Sequence, residues 1–247
     1  MSDGNKLHSD AFLARRDAAR ARIDVLTGAK GGDAEDRQSW FRTVYQEAGG
    51  DPAAVAWADL APKQVLIDWL QDNPAHHHSS EPGDKPTAVD VACGLGDNAE
   101  ALSHAGYVTT AFDFVPEAID WAKQRFPESA VDYIASDLFA LPPEWVGAFD
   151  LVHECYTVQA MASPLRDAAI PALASLVAPG GTLLFINRSR EEGTEADGPP
   201  WPVMPSEWRA FEKYGLELVD HRFYDLMRPG RVIPHVIAVF KRHEGAM

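Results

Sequence analysis

The stretch TAVDVACGLGDNAEALSHAGYVTTAFD, residues 87–113, decides the fold class. TAVDVAC (87–93) has the length and apolar content of a buried strand. Gly94-Leu95-Gly96 makes a glycine turn, and DNAEALSHA reads as a helix ended by Gly106. YVTTAF is a second strand running to Asp113. The alternation continues downstream: a helix PEAIDWAKQRF opened by Pro116, a third strand VDYIAS up to Asp137, and a fourth, FDLVHEC, from Phe149. A helix over about 164–177 stops at Pro179-Gly180-Gly181 and yields to a fifth strand, TLLFIN. Strands and helices in turn, with short connections, predict a doubly wound α/β fold with a mostly parallel sheet. The end of the chain breaks the pattern. A helix at 205–213 precedes LELVDHRFYD and VIPHVIAVFK, which have almost no helix between them and therefore read as an antiparallel pair at a sheet edge.

Upstream, residues 1–71 read as a helical cap. A first helix capped by Ser9 or Asp10 carries Leu13, Ala18, Ile23 and Leu26, and GAKGGDAED (28–36) reads as a linker. A second helix bears the aromatic stripe Trp40, Phe41, Val44, Tyr45 and breaks at Gly49-Gly50-Asp51-Pro52. Pro62 opens a third, with Val65, Leu66 and Trp69 in register. The polar, Pro-rich segment 72–86 reads as a linker to the α/β domain, 87–247.

The chain has 247 residues, a length that suits one large domain or a domain with an appendage. Its 46% apolar and 24% charged residues exclude disorder throughout. The formal net charge is −15, and all of the excess lies in residues 41–247, because residues 1–40 hold seven basic and seven acidic side chains. Such a body repels phosphate backbones and anionic lipid, so neither a nucleic acid nor a membrane is the expected partner. Two cysteines, Cys93 and Cys155, give neither a disulfide framework nor a zinc pattern. With no secretory signal and no apolar run of membrane-spanning length, the expectation is a cytoplasmic protein, monomeric or a weak homodimer.

In an open α/β sheet, ligands bind beyond the carboxyl ends of the strands. After the first strand, Gly94 and Gly96 permit a tight turn and close approach of a ligand, and the next helix offers free N–H groups. Gly94-x-Gly96-x-x-Ala99 also fits a dinucleotide fingerprint, and Asp113, nineteen residues beyond Gly94, has the spacing of a ribose-binding carboxylate. Asp137 and Leu138 follow the third strand, and His153-Glu154-Cys155-Tyr156 closes the fourth. Four successive strand ends bearing polar groups make a stronger signal than any one of them.

VDVACGLG, AFDFVPEAIDWAKQRF, ASDLF, FDLV and VAPGGTLLFI, in that order, resemble the motif series of class I S-adenosylmethionine-dependent methyltransferases, over about residues 60–241. The resemblance implies a Rossmann-like, seven-stranded sheet with one antiparallel strand and S-adenosyl-L-methionine as cofactor. It places the methionine moiety at Asp90, Cys93, Gly94 and Gly96, the ribose and one adenine face at Asp113 and Phe114, the adenine edge at Asp137 and Leu138, and Glu154, or its backbone, near the sulfonium. Ala92 departs from the glycine that many members have. The N-terminal Trp40, Tyr45, Gly49-Gly50 and Trp57, with Gly198-Pro199-Pro200-Trp201, are further similar to thiopurine S-methyltransferase-like enzymes. That implies an acceptor pocket lined by Trp40, Tyr45, Trp57, Tyr156, Arg188 and Trp201.

The expected function is methyl transfer to a small molecule, a thiol or an aromatic heteroatom. A thiolate acceptor needs no general base; an oxygen or nitrogen acceptor does so more often, with His153, Glu154 and Tyr156 as the nearest candidates. Each of these also reads as a structural residue. So does Cys155, since no His–Asn/Asp pattern accompanies it, and His76-His77-His78 reads as a solvated run rather than a metal site. The chain lacks the Asn/Asp-Pro-Pro-aromatic motif of nucleic-acid amino-methylating enzymes and the thiols of arsenite methyltransferases. Segment 191–202 reads as a lid. The competing functions are a nicotinamide-dependent oxidoreductase and a non-catalytic, cofactor-binding regulator.

Overall fold

The computed structural model describes residues 10–25, 34–75, 85–228 and 230–245. Seven strands form one sheet: β1 (Thr87–Val91), β2 (Val108–Asp113), β3 (Asp132–Ala135), β4 (Phe149–Cys155), β5 (Val177–Arg188), β6 (Leu216–Arg228) and β7 (Arg231–Arg242). Their order is β3-β2-β1-β4-β5-β7-β6. β1 to β5 pair in parallel, while β7 is antiparallel to both β5 and β6. The antiparallel pair expected at the edge is therefore present, and the later strand is the one inserted next to β5. That order carries the switch point between β1 and β4, where a cleft opens at the carboxyl ends of the strands.

Residues 88–91 of β1 and 149–154 of β4 are buried, as central strands covered on both faces must be. One layer holds α4 (Asp97–His104) and α3 (Gln64–Asp72), and Val65, Leu66 and Leu70 of α3 share a core cluster with Leu151, Leu184 and Ile186. α3 is thus packed into the same core as the sheet. On the other face, α6 (Leu165–Leu176) joins Val89, Val152, Leu183 and Phe185 in the largest cluster. α5 (Pro116–Arg125) starts at the proline that predicted it. α1 (Asp10–Val25) and α2 (Ala34–Ala48) precede these, and α2 lies against α5, with Arg42 and Gln46 both donating to Glu117.

Several boundaries differ from the expectation: α3 begins at Gln64, two residues after Pro62, and β6 runs on to Arg228. Ala34, Glu35 and Asp36, assigned to a linker, are the first turn of α2. The predicted helix at 205–213 is a single α-turn, Pro205–Trp208, followed by a 3-10 segment, Arg209–Tyr214, that buries Trp208 and Phe211. β5 begins at Val177, before Pro179-Gly180-Gly181, because Val177 already pairs with Phe149 across an irregularity in the ladder. His76-His77-His78 lies outside the described residues. No helix among them is long and apolar enough to cross a membrane.

Candidate active site

A cavity of about 350 Å³ lies over the carboxyl ends of the strands. Its floor begins with the loop after β1. Gly94 sits at φ 55° and Gly96 at φ 88°, both in the left-handed region. A Cβ at Gly96 would come within 2.4 Å of the Tyr133 hydroxyl, so only glycine fits there. Ala92, in the same loop, is at φ 53° and Tyr156, after β4, is at φ 68°. Both line the cavity, so backbone strain of about 1–3 kcal/mol apiece is held at the site by its surroundings. Arg125 clamps the loop from α5 with paired 2.7 Å bonds to both oxygens of Asp97.

Asp113 ends β2 and is 6% exposed. The N–H of Gly94 donates to its Oδ2 (3.1 Å) and that of Val115 to its Oδ1 (3.0 Å). Burial raises its pKa to about 6 against the pull of those two N–H groups. Above that value a carboxylate faces the cavity with lone pairs left over for hydroxyls. Asp137, after β3, accepts the N–H of Phe139 (2.9 Å) and also lines the cavity, as do Leu138 and Phe114.

The N-terminal aromatics close one side. Phe41 meets Phe114 and Trp57 edge-on at 5.5 and 5.3 Å, Trp57 lies 6.0 Å from Trp40, and the indole N–H of Trp57 donates to the Tyr45 hydroxyl (3.0 Å). That hydroxyl rests 3.6 Å from where a Cβ of Gly94 would be. Trp40 Nε1 is buried without a hydrogen-bond partner.

The opposite end is built from β4, β5 and the β6–β7 hairpin. Arg188 of β5 pairs in register with His235 of β7, which pairs with Tyr224 of β6. His235 stacks on Tyr224 (5.2 Å) and lies 5.5 Å from Tyr156, and its Nδ1–H donates to the carbonyl of Ile233 (2.7 Å). Burial and neighbouring cations lower its pKa to about 4, so the ring is neutral at physiological pH. Lys63, at the entry to α3, lies over the Tyr156 ring (4.7 Å) and is ion-paired with Asp59, which also binds Arg16 of α1. Burial opposes ionisation of Asp59, but Lys63, Arg16 and Arg228 outweigh it and hold the carboxyl below its usual value.

The cavity thus gathers most of the residues singled out in the sequence: Cys93, Gly94, Asp113, Phe114, Asp137 and Leu138 at one end, Trp40, Tyr45 and Trp57 above, Tyr156 and Arg188 at the other end. Asp90, Gly96, Glu154 and Trp201 are not in its wall. Asp90 is buried beneath the floor, its Oδ1 2.7 Å from His153 Nδ1. His153 and Glu154 are fully buried, so neither reaches an acceptor as a base. Glu154 instead accepts the N–H groups of Thr157 (2.7 Å) and Val158 (2.9 Å) and the Asn187 amide (2.5 Å), fixing the loop after β4. Burial raises its pKa to about 7. Trp201 folds back onto Gly198, and its backbone is bolted down: its N–H donates to the Gln159 carbonyl (2.7 Å) and Arg166 donates to its own (2.7 Å). The supposed lid is therefore anchored at 199–203, where Pro199 and Pro200 face the cavity. Burial pushes both the Cys93 and Cys155 thiols up, leaving them protonated rather than nucleophilic. Sequence reasoning missed Lys63, Arg228 and His235; only the strand register and the α3 packing bring them to the site.

Comparison with known proteins agrees with this architecture. Residues 88–181 match the family described as "Methyltransferase domain". The chain is similar to a ubiquinone biosynthesis O-methyltransferase of Xanthomonas campestris pv. campestris, 38% identical over 104 residues, covering 41% of this chain and 43% of that protein. It is also similar to one of Xylella fastidiosa, 36% identical over 164 residues, covering 64% and 59%. The chain spans about half the length of these relatives. Among solved structures, magnesium protoporphyrin IX methyltransferase from Synechocystis PCC 6803 superposes with a TM-score of 0.61 at 16% identity, over 83% of this chain and 99% of that one. The N-methyltransferase NodS from Bradyrhizobium japonicum gives 0.61 at 18% identity, over 82% and 97%. The chain is built on the class I methyltransferase fold, and its residues 88–181 match the methyltransferase family itself.

Proposed function

We propose that this protein transfers a methyl group from S-adenosyl-L-methionine to a small molecule. One observation carries the reading: three successive strand ends deliver Gly94, Asp113 and Asp137 to a single cavity beneath an aromatic cover. The residues fit the cofactor. Gly94 leaves room beside the Tyr45 hydroxyl, Asp113 retains acceptor capacity for a ribose diol, and the orphaned N–H of Trp40 lies at the cavity wall. Phe114 and Leu138 would flank the adenine and Asp137 would take its amino group, with α1 and α2 as a cap. The cofactor supplies an activated methyl on a sulfonium. The protein's own part is alignment and exclusion of water, effects that reach about 7–11 kcal/mol. Glu154 serves this by holding the loop that carries Tyr156 and Thr157, and so acts as a positioning residue.

The relatives' name favours oxygen over sulfur as the accepting atom. The similarity to thiopurine S-methyltransferase-like enzymes loses one of its supports, since Trp201 lies off the cavity. A hydroxyl acceptor must give up its proton, and His235 lines the cavity with Nδ1–H committed to Ile233, so Nε2 is its acceptor nitrogen; its pKa of about 4 makes it a weak base, suited to an acceptor already largely ionised. The nicotinamide reading drew on Gly94, Gly96 and Asp113, but the antiparallel β7 beside β5 departs from the dinucleotide-binding strand order. Calorimetry with S-adenosylhomocysteine and with NAD tests the cofactor, and binding of NAD alone would sink the proposal. Labelled-methyl transfer to phenols, thiols and amines tests the reaction; cofactor binding with no turnover on any of them would favour a regulator.

A further inference from the structure

The cavity has two ends of opposite character. Asp113 and Asp137 mark one, whereas Lys63, Arg188 and Arg228 line the other. In a chain of net charge −15 a cluster of cations at one end of one cavity calls for a cause. Lys63 is already paired with Asp59. Arg188 and Arg228 have no ion-pair partner among the described residues, and Arg188 Nε is buried without any hydrogen-bond partner. Asp59, whose field reaches Arg188, is shared between Arg16 and Lys63. Burial is the largest influence against the Arg188 cation, and with Arg231 and Arg228 it outweighs the favourable Tyr156 and Asp59, so the guanidinium sits where its surroundings disfavour it. A bound anion would supply the missing partner. Asp59 also lines this end, its carboxylate committed to Lys63 and Arg16, and Tyr156, Leu226, Ile233 and His235, the last stacked on Tyr224 behind it, supply the aromatic and apolar wall.

We propose that the methyl acceptor is an aromatic carboxylate, its acid group held by Arg188 and Arg228 and its ring against Tyr156 and His235. A planar carboxylate matches the fork of a guanidinium, which an ammonium cannot reproduce. This rests on the methyl-transfer reading for the role of the bound acid, while the binding itself is tested separately.

The test uses the full chain, with and without S-adenosylhomocysteine, and matched acid and methyl-ester pairs of 4-hydroxybenzoate, 3,4-dihydroxybenzoate and 1-hydroxy-2-naphthoate, with affinities from calorimetry. At least one acid binds at least tenfold more tightly than its ester. Arg188→Gln brings that acid to the level of the ester, Arg188→Lys recovers only part of the loss, and S-adenosylhomocysteine affinity does not change. Arg228→Gln lowers acid affinity in the same direction and carries the test if the Arg188 variants do not fold. Equal affinity for acid and ester in every pair, no binding of either, or an acid preference that survives both glutamine variants overturns the proposal. Failure of S-adenosylhomocysteine to bind overturns the cofactor reading instead, and the acid–ester comparison made without it still stands.

Discussion

Asp113 carries a charge that its surroundings resist, and this makes the cofactor end of the cavity sensitive to pH. Its pKa is raised to about 6, chiefly by burial. The proposed ribose contact uses the ionised form, which is nearly full at pH 7.5 and falls to about a tenth at pH 5. Affinity for S-adenosylhomocysteine should therefore weaken about tenfold over that interval. Asp113→Asn should bind weakly throughout and lose the slope; a wild-type affinity flat from pH 7.5 to 5 would remove Asp113 from the ribose site. Stability runs the other way. A carboxyl whose folded pKa lies above its unfolded value contributes stability fully present below the unfolded pKa and lost as pH rises through the folded one. Asp113 and Glu154 both belong to this class, the latter with a pKa near 7. Glu154 is nevertheless retained where three donors converge on it. Glu154→Leu leaves those donors buried and unpaired, and should cost at least about 2 kcal/mol in urea unfolding at pH 7.5. A cost below about 0.5 kcal/mol would mean the loop after β4 does not depend on it.

At the scale of elements, the glycine loop and β3 are locked to each other. Tyr133 of β3 donates to Glu100 of α4 (2.7 Å), and its hydroxyl occupies the space over Gly96. Gly96→Ala meets both that hydroxyl and an unfavourable φ, and should lower the melting temperature by several degrees and abolish cofactor binding. Adding Tyr133→Phe removes the closest clash but not the strained φ. The double variant should therefore be more stable than the sum of the single effects predicts, and additivity within about 0.5 kcal/mol would contradict the contact. This interlock also shows what was legible in the sequence. Gly94, Asp113 and Asp137 stand within three residues of strand ends, so local punctuation was enough to place them. Of the wall opposite, Tyr156 and Arg188 were legible in the sequence, but Lys63, Arg228 and His235 were not. Arg188 meets His235 and Tyr224 only through the β5–β7–β6 register, and Lys63 arrives because α3 packs on the sheet. Asp90 and Glu154 lie off the cavity wall for the converse reason. Each is polar and close to a strand end, but side chains alternate along a strand, and a residue one step from the rim points into the layer beneath it. Trp201 looked like a pocket aromatic, yet Gly198 beside it gives its ring a backbone surface to fold onto.

Across the whole molecule, the net charge acquires a direction. The body carries −15, and the proposed cofactor has one net positive charge, from its sulfonium and ammonium less its carboxylate. Its product has none. Such a field speeds capture of the cation and is screened once the Debye length shrinks from about 20–30 Å to a few ångströms. Stopped-flow association of S-adenosylmethionine should slow about threefold or more between 20 and 500 mM salt, while that of S-adenosylhomocysteine changes little. A negatively charged acceptor faces the opposite problem, because the same field repels it at long range. Only close contact with Arg188 and Arg228 reverses the sign, and that contact is partly shielded from solvent ions. Salt should then speed entry of the acid by screening the body and speed its departure by weakening the ion pair. Its dissociation constant consequently moves less than either rate. If salt slowed acid entry instead, the field at the cavity mouth would have to be positive, and the cations would reach beyond the pocket they line.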